Sequence, residues 1–272
     1  TTTQGCTDTI TLPVDVHPAP VADFSNTTEC WGDPVPFTDL STIGGGDVIT
    51  NWNWDFGDGN SSTQQNPLNT FAVFNDTFAV QLVVTTNAGC VDTIVQNAFT
   101  LPIVIFNYGP DNANGCAPMV VNFTDASTIS QGTITGWVWG FDDGTNSFQQ
   151  NPTHNYADSG LYYVSLTVTT STGCTYADTL QFPITVYPQP IAGFFVDPMV
   201  TTILEPDIDI SDNSQGAMFW EYDYGDFTQG NSPSTTHEYF ETGTYQIMQI
   251  VTNNFGCSDT AYQNVTIEEV AT

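Results

Sequence analysis

Residues 51–59 read NWNWDFGDG, with Trp52, Trp54 and Phe56 at alternate positions ahead of a Gly-Asp-Gly turn. Alternate side chains of an extended strand point to the same face, so this spacing predicts an aromatic stripe buried on one side of a strand that ends in a tight turn. The block returns as WGFDDG from Trp139, preceded by Trp137, with Phe141 completing the stripe. It returns again as YDYGDF from Tyr222, between Trp220 and Tyr224. Three copies of one buried stripe imply three copies of one domain.

Further anchors keep the same period. GCTDTI at 5–10 reappears as GCVDTI at 89–94, GCTYADTL at 173–180 and GCSDTA at 256–261. The cysteines Cys6, Cys90, Cys174 and Cys257 stand 84, 84 and 83 residues apart. VPFTDLS (35–41), VNFTDAS (121–127) and IDISDNS (208–214) form another set. A last set is NPTHNY (151–156), with NPLNTF (66–71) and SPSTTHEY (232–239) as variants. Each repeat then carries a long alternating run rich in β-branched and aromatic residues, punctuated by Gly, Asn and Pro. That pattern predicts antiparallel β-sandwiches, and helical periodicity is lacking. The expected organisation is all-β: three repeats at 18–104, 105–188 and 189–272, preceded at 1–17 by the last strands of another repeat. Prolines at Pro18, Pro20, Pro188 and Pro190 mark short linkers with limited swing.

The chain has 272 residues, 30 Asp and Glu, no Lys and no Arg, for a formal charge of −30. Its charged fraction of 11% lies below the ~25% of ordinary globular proteins, so the anomaly is the missing cations. A 40% hydrophobic share is that of a folded chain, not a disordered acidic tail. Nucleic-acid binding, direct attraction to anionic membrane, P-loop chemistry, a lysine Schiff base and an arginine finger are all excluded. Apolar runs are strand-sized, too short for a transmembrane helix. Without an initiator Met or a signal peptide, the chain reads as a mature or excised piece of something longer.

The WDFGDG block, the HxY element and the glycine-containing final hairpin together resemble the PKD (polycystic kidney disease) domain family, over essentially the whole chain. The resemblance implies immunoglobulin-like sandwiches in tandem: extracellular modules that space, bind or adhere and are not catalytic. The Cys-bearing, Thr-rich repeats look most like arrays in very large surface and secreted proteins of gliding Bacteroidota-type bacteria. Departures are local. Asn69 and Phe71 stand for the His and Tyr of HxY in repeat 1; Tyr222, Tyr224 and Phe227 stand for Trp, Phe and Gly in repeat 3.

Chemistry-bearing side chains are few. His17 aligns with Tyr187, while His154 and His237 align with Asn69, so neither position requires imidazole and structural histidines are expected. No Ser-His-Asp constellation recurs. The carboxylates Asp55 and Asp58, Asp142 and Asp143, and Asp223 and Asp226 flank the glycine turns. Such pairs with turn carbonyls are hard oxygen ligands suited to Ca²⁺. The competing role, accepting backbone N–H groups and holding the turn, is the expected one, because the spacing is that of no dedicated calcium loop. Thr9, Thr93, Thr179 and Thr260 each follow an Asp and precede a small or aliphatic residue, which resembles an O-glycosylation acceptor triplet of Bacteroidota secreted proteins. A strand-initiating Asp-Thr inherited with the repeat is the alternative. N-x-S/T triplets at Asn26, Asn60, Asn75, Asn122 and Asn264 are weaker signals.

Six cysteines in a secreted-looking chain imply disulfides. Pairing within domains, Cys30–Cys90 and Cys116–Cys174, strands Cys257, since the matching position in repeat 3 is Ile203. It would also span opposite poles of a sandwich, ~20 Å apart for a strand of six residues, against the ~7 Å limit for bridged Cα atoms. Head-to-tail stacking instead pairs Cys30 with Cys174 and Cys116 with Cys257, leaving Cys6 and Cys90 to upstream domains. The expected function is structural: a segment of a long extracellular filament, stalk or adhesin used in attachment or gliding. Its partners would be neighbouring repeats or copies, and surface glycans. The alternative is a glycan- or protein-binding accessory module of a secreted enzyme, which would show exposed aromatics in one repeat only.

Overall fold

A computed structural model describes residues 8–270, and these contain strands, turns and no helix. The chain divides into two compact units, one built on repeat 1 and one holding repeats 2 and 3. In repeat 1, Phe24–Asn26, Val35–Asp39 and Leu68–Asn69 form one antiparallel sheet. Ser61–Ser62, Ile49–Asp55, Thr77–Thr86 and Val91–Phe99 form the other. The strand Thr77–Thr86 shows why: buried and more exposed residues alternate along it, and Phe78, Val80, Leu82 and Val84 all turn inward. Trp54 and Phe56 lie fully buried between the sheets, with Trp52 packed against them.

Within the second unit the plan repeats, with an addition. Asn114–Cys116 runs parallel to Ile184–Tyr187 in repeat 2, and Val200–Thr202 runs parallel to Ser258–Glu268 in repeat 3. These are the tandem immunoglobulin-like sandwiches that the alternation predicts. The segment from Asp8 to Ala19 forms no strand, and Ile10, Leu12, Val14 and Val16 are exposed. The expectation for 1–17, strands completing a sandwich whose other strands lie outside this chain, concerns pairing beyond this chain; within it residues 8–17 pair with no strand, and residues 1–7 lie outside the described residues. The matching residues Ile184 and Val186, or Val265 and Ile267, are buried inside complete sandwiches.

Repeat 3 rebuilds its centre. Trp54 and Trp139 donate their indole N–H to the carbonyls of Gln64 and Gln149 at 2.9 and 3.0 Å, and Leu82 and Leu166 pack in the same cores. Repeat 3 has Tyr222 and Gln249 at these positions. The fully buried Gln249 amide donates to the Tyr222 hydroxyl at 2.7 Å and to Asp212 at 2.8 Å, and its oxygen accepts the Gly193 N–H at 2.9 Å. A buried amide is tolerable only when so satisfied. Asp212 matches Asp39 and Asp125, which accept the indole N–H of Trp52 and Trp137 at 2.7 and 2.6 Å. The matching Trp220 Nε1 is buried and finds no hydrogen-bond partner among the described residues.

Gln249→Leu alone should therefore destabilise repeat 3 by roughly 1–3 kcal/mol, because it removes three short hydrogen bonds and leaves Tyr222 and the Gly193 N–H only their longer contacts to the Pro233 carbonyl and Ser214 Oγ, at 3.4 and 3.3 Å. Adding Tyr222→Trp, which restores the pair used by the other repeats, should recover more than half of that loss. Urea melts of the two variants check this.

Candidate functional site

The three glycine turns are built by carboxylates. In repeat 1, Asp55 accepts the Gly57 N–H at 2.9 Å, and Asp58 accepts the Asn60 N–H at 2.9 Å. In repeat 3, Asp223 and Asp226 accept the Gly225 and Thr228 N–H groups in the same way. Gly57 has φ 74°, and a Cβ there would meet the Ala79 carbonyl oxygen at 2.8 Å. Repeat 2 has Asp142 at this position, with φ 64°, and its carboxylate accepts the Tyr163 N–H at 3.0 Å. Asp tolerates the left-handed region because its short polar side chain bonds locally. All six carboxylates singled out in the sequence thus stand at these turns, and those named here accept backbone N–H groups. Among the described residues no group of three or more His, Cys, Asp or Glu is arranged to hold a metal ion.

The histidines belong to the same turns. His154 Nε2 lies 2.7 Å from Asp143, its ring stacked on Phe141 and set edge-on to Tyr156. His237 repeats this against Asp226 at 2.8 Å, between Tyr224 and Tyr239. Asn69 in repeat 1 donates its amide to Asp58 at 2.9 Å, which is why imidazole can be replaced. The tyrosines close the clamp: Tyr156 and Tyr239 donate to the carbonyls of Phe141 and Tyr224 and stack on Tyr162 and Tyr245. Phe71 and Phe78 keep the stack in repeat 1, with ring centroids 4.2 Å apart. His17 makes a separate contact, 3.0 Å from Asp47.

Burial acts to raise the Asp143 and Asp226 carboxyls, but hydrogen bonds from Thr145 and His154, or Thr228 and His237, outweigh it and hold both below the ordinary value. Asp39 follows the same balance, with Ser41, Gln65 and Trp52 as donors. Asp92 is lowered by the N–H groups of Ala22 and Thr93.

Asp92 and Asp259 also show what the Asp-Thr triplets do locally. Each accepts an N–H near the start of its own repeat, from Ala22 or Ala192, at 2.8 Å. The following threonines, Thr93 and Thr260, are exposed, as are Thr9 and Thr179. Among the N-x-S/T positions, Asn60 and Asn122 use their amides on Asp58 and Asp111.

The cysteine hairpins are uniform. Cys90 N–H donates to Thr86 Oγ1, Cys174 N–H to Thr170 Oγ1, and Cys257 N–H to Asn253 Oδ1, at 3.0–3.2 Å. Cys116 is joined to Cys257 with their Cα atoms 5.6 Å apart, linking repeats 2 and 3. Two further contacts surround this bridge: Tyr187 stacks on Phe255 at 4.6 Å, and the Asn253 amide donates to the Pro188 carbonyl at 2.8 Å. Sequence reading missed both; the signal was that Phe255 replaces Ala88 and Thr172 in the hairpin. Cys90 is a half-buried free thiol. Cys30 lies in the turn after Phe24–Asn26, where its carbonyl accepts the Asp33 N–H, and Cys174 is buried.

Comparison with known proteins adds four findings. The family profile described as PKD domain matches residues 17–100, 105–186 and 188–267. Collagenase ColA of Bacillus cereus is 39% identical over 67 residues, which span 23% of this chain and 7% of that protein. A microbial collagenase of Vibrio alginolyticus is 42% identical over 65 residues, 24% of this chain and 8% of that protein. Among solved structures, the PKD1 domain of Vibrio anguillarum Epp is 28% identical, covering 32% of this chain and 95% of that one with a TM-score of 0.26.

Two outcomes are expected at the turns. A carboxyl held below its unfolded value near 3.8 contributes stability above about pH 4, and that contribution drains away as pH falls through the folded value. Asp143→Asn with Asp226→Asn should flatten the acid limb of a melting-temperature profile below pH 4. Because the turn carboxylates are occupied by N–H donors, excess chelator should leave the parent's melting temperature unchanged; a drop of several degrees would place a metal there.

Proposed function

We propose, for a chain that belongs to the PKD domain family, that it is a structural segment of an extracellular bacterial filament, stalk or adhesin, its domains locked end to end. The observation that carries this reading is the junction of repeats 2 and 3, where the Cys116–Cys257 bridge, the Tyr187–Phe255 stack and the Asn253–Pro188 hydrogen bond converge. A disulfide alone can act as a hinge. A stack and a hydrogen bond beside it restrict rotation about it.

Repeat equivalence extends the scheme. Cys30 and Cys174 occupy the positions of Cys116 and Cys257 one repeat earlier, so the same staple joins them. Cys6 and Cys90 then serve upstream domains, and the exposed stripe Ile10, Leu12, Val14 and Val16 is covered by a neighbouring sandwich. Disulfides persist in oxidising compartments, which supports an extracellular site. So does the partial match to collagenases, although the chain spans under a tenth of either one. The −30 charge keeps such strands soluble and mutually repelling. Surface attachment or gliding motility is the role this reading assigns, with Thr9, Thr93, Thr179 and Thr260 as exposed O-glycan acceptors. No catalytic role is assigned.

Non-reducing peptide mapping with a protease that cuts at acidic residues tests the pairing. A peptide joining Cys30 to Cys174 is the expected product. A peptide joining Cys30 to Cys90 would reject the head-to-tail scheme and return the chain to the reading of self-stapled accessory modules.

A further inference from the structure

The end of repeat 3 that carries its glycine turn differs from its counterparts. At the turn position held by Gly59 and Gly144, with φ 92° and 87°, repeat 3 has Phe227 with φ 73° and its side chain fully exposed. At the position of Ala72 and Ala157, it has Phe240, 79% exposed. A bulky residue in the left-handed region is strained, and an exposed ring returns nothing to the fold in exchange. The two phenylalanines line one cleft of about 370 Å³ together with Asp226, Thr228, Glu241 and Tyr245. Leu204, also exposed, sits just past Ile203, the residue that replaces Cys116. In repeat 2 this same end, where Cys116 pairs beside Tyr187, is where repeat 3 is attached.

We infer that this end of repeat 3 is a docking surface for a partner segment that presents Lys or Arg beside apolar side chains. Charge selects the occupant. The cleft sets the exposed Glu241 beside two aromatic rings, with Asp226, whose oxygens already hold Thr228 and His237, adding negative charge behind them; such an arrangement attracts a cation both by charge and through the ring quadrupole. A second copy of this chain cannot supply that cation, since it has no Lys or Arg and carries the same −30 charge. A neutral sugar could hydrogen-bond to the cleft's carboxylates and hydroxyls but would leave the Glu241 charge uncompensated. The inference stands independently of the filament reading, because it rests on the exposed pair and not on the staples.

The test compares the parent chain with Phe227→Gly/Phe240→Ala, which restores the residue types of the other repeats and should melt no lower than the parent. The probes are fluorescein-labelled dodecapeptides of alternating Lys and Leu, alternating Glu and Leu, and alternating Lys and Ser, together with cellohexaose, all in 150 mM NaCl. The expected result is a Lys-Leu peptide bound at least tenfold more tightly by the parent than by the variant, with the Lys-Ser peptide treated alike by both. Equal affinity of the two proteins for the Lys-Leu peptide would reduce the effect to bulk charge and overturn the proposal. Phenylalanine-dependent binding of the Glu-Leu peptide or of cellohexaose instead would overturn it too. So would self-association of the parent that the variant abolishes, or loss of the tenfold difference in a chain extended past Thr272.

Discussion

A carboxylate in this molecule can meet no lysine or arginine, and the architecture of its turns follows from that constraint. Unpaired buried charge is costly, and among the described residues the only cationic partners are histidines. The chain therefore directs its acids at N–H and O–H donors. Asp39 and Asp125 take the indole N–H of Trp52 and Trp137, fixing the outer ring of each aromatic stripe. Asp58, Asp143 and Asp226 hold a turn with one oxygen and an Asn or His side chain with the other. Asp92 and Asp259 tie the beginning of a repeat to its last strand. What composition alone presents as a charge imbalance acts locally as a set of backbone clamps.

Where the repeats differ, they differ in coupled groups. Histidine can become Asn69 because the partner Asp58 needs only an N–H donor at that point. The Tyr156–Tyr162 stack can become Phe71–Phe78 because the ring contact, and not the hydroxyl, fills the space. Tryptophan can become Tyr222 only alongside Gln249, since the smaller ring leaves both volume and an unmet polar requirement in the core. Phe227 and Phe240 follow no such rule. Phe227 adds strain, both add exposed apolar surface, and this sets them apart from the other substitutions.

Much of this was legible in the sequence because it is periodic. Trp54, Trp139 and Tyr222 marked the core through alternation, and the 83–84 residue spacing of cysteines marked the repeat. The Asp residues at the turns could be read as caps from their glycine neighbours. Periodicity could not show Gln249 as a buried hub, since an isolated Gln in an alternating strand reads as surface. Nor could it show the Tyr187–Phe255 stack, which joins residues 68 positions apart by the packing of two domains. Ile10, Leu12, Val14 and Val16 have the right alternation, yet alternation specifies a face and cannot supply the sheet on which to bury it.

The claim at the centre of this account is that repeats 2 and 3 behave as one body because Cys116–Cys257 is reinforced by the Tyr187–Phe255 and Asn253–Pro188 contacts. Backbone N–H residual dipolar couplings, measured on the oxidised protein in a weakly aligned medium and fitted separately for each repeat, test it most directly. The account predicts a single alignment tensor, equal in orientation and magnitude for both repeats, that splits into two once Cys116 and Cys257 are both replaced by serine. Two unequal tensors in the oxidised protein would contradict it.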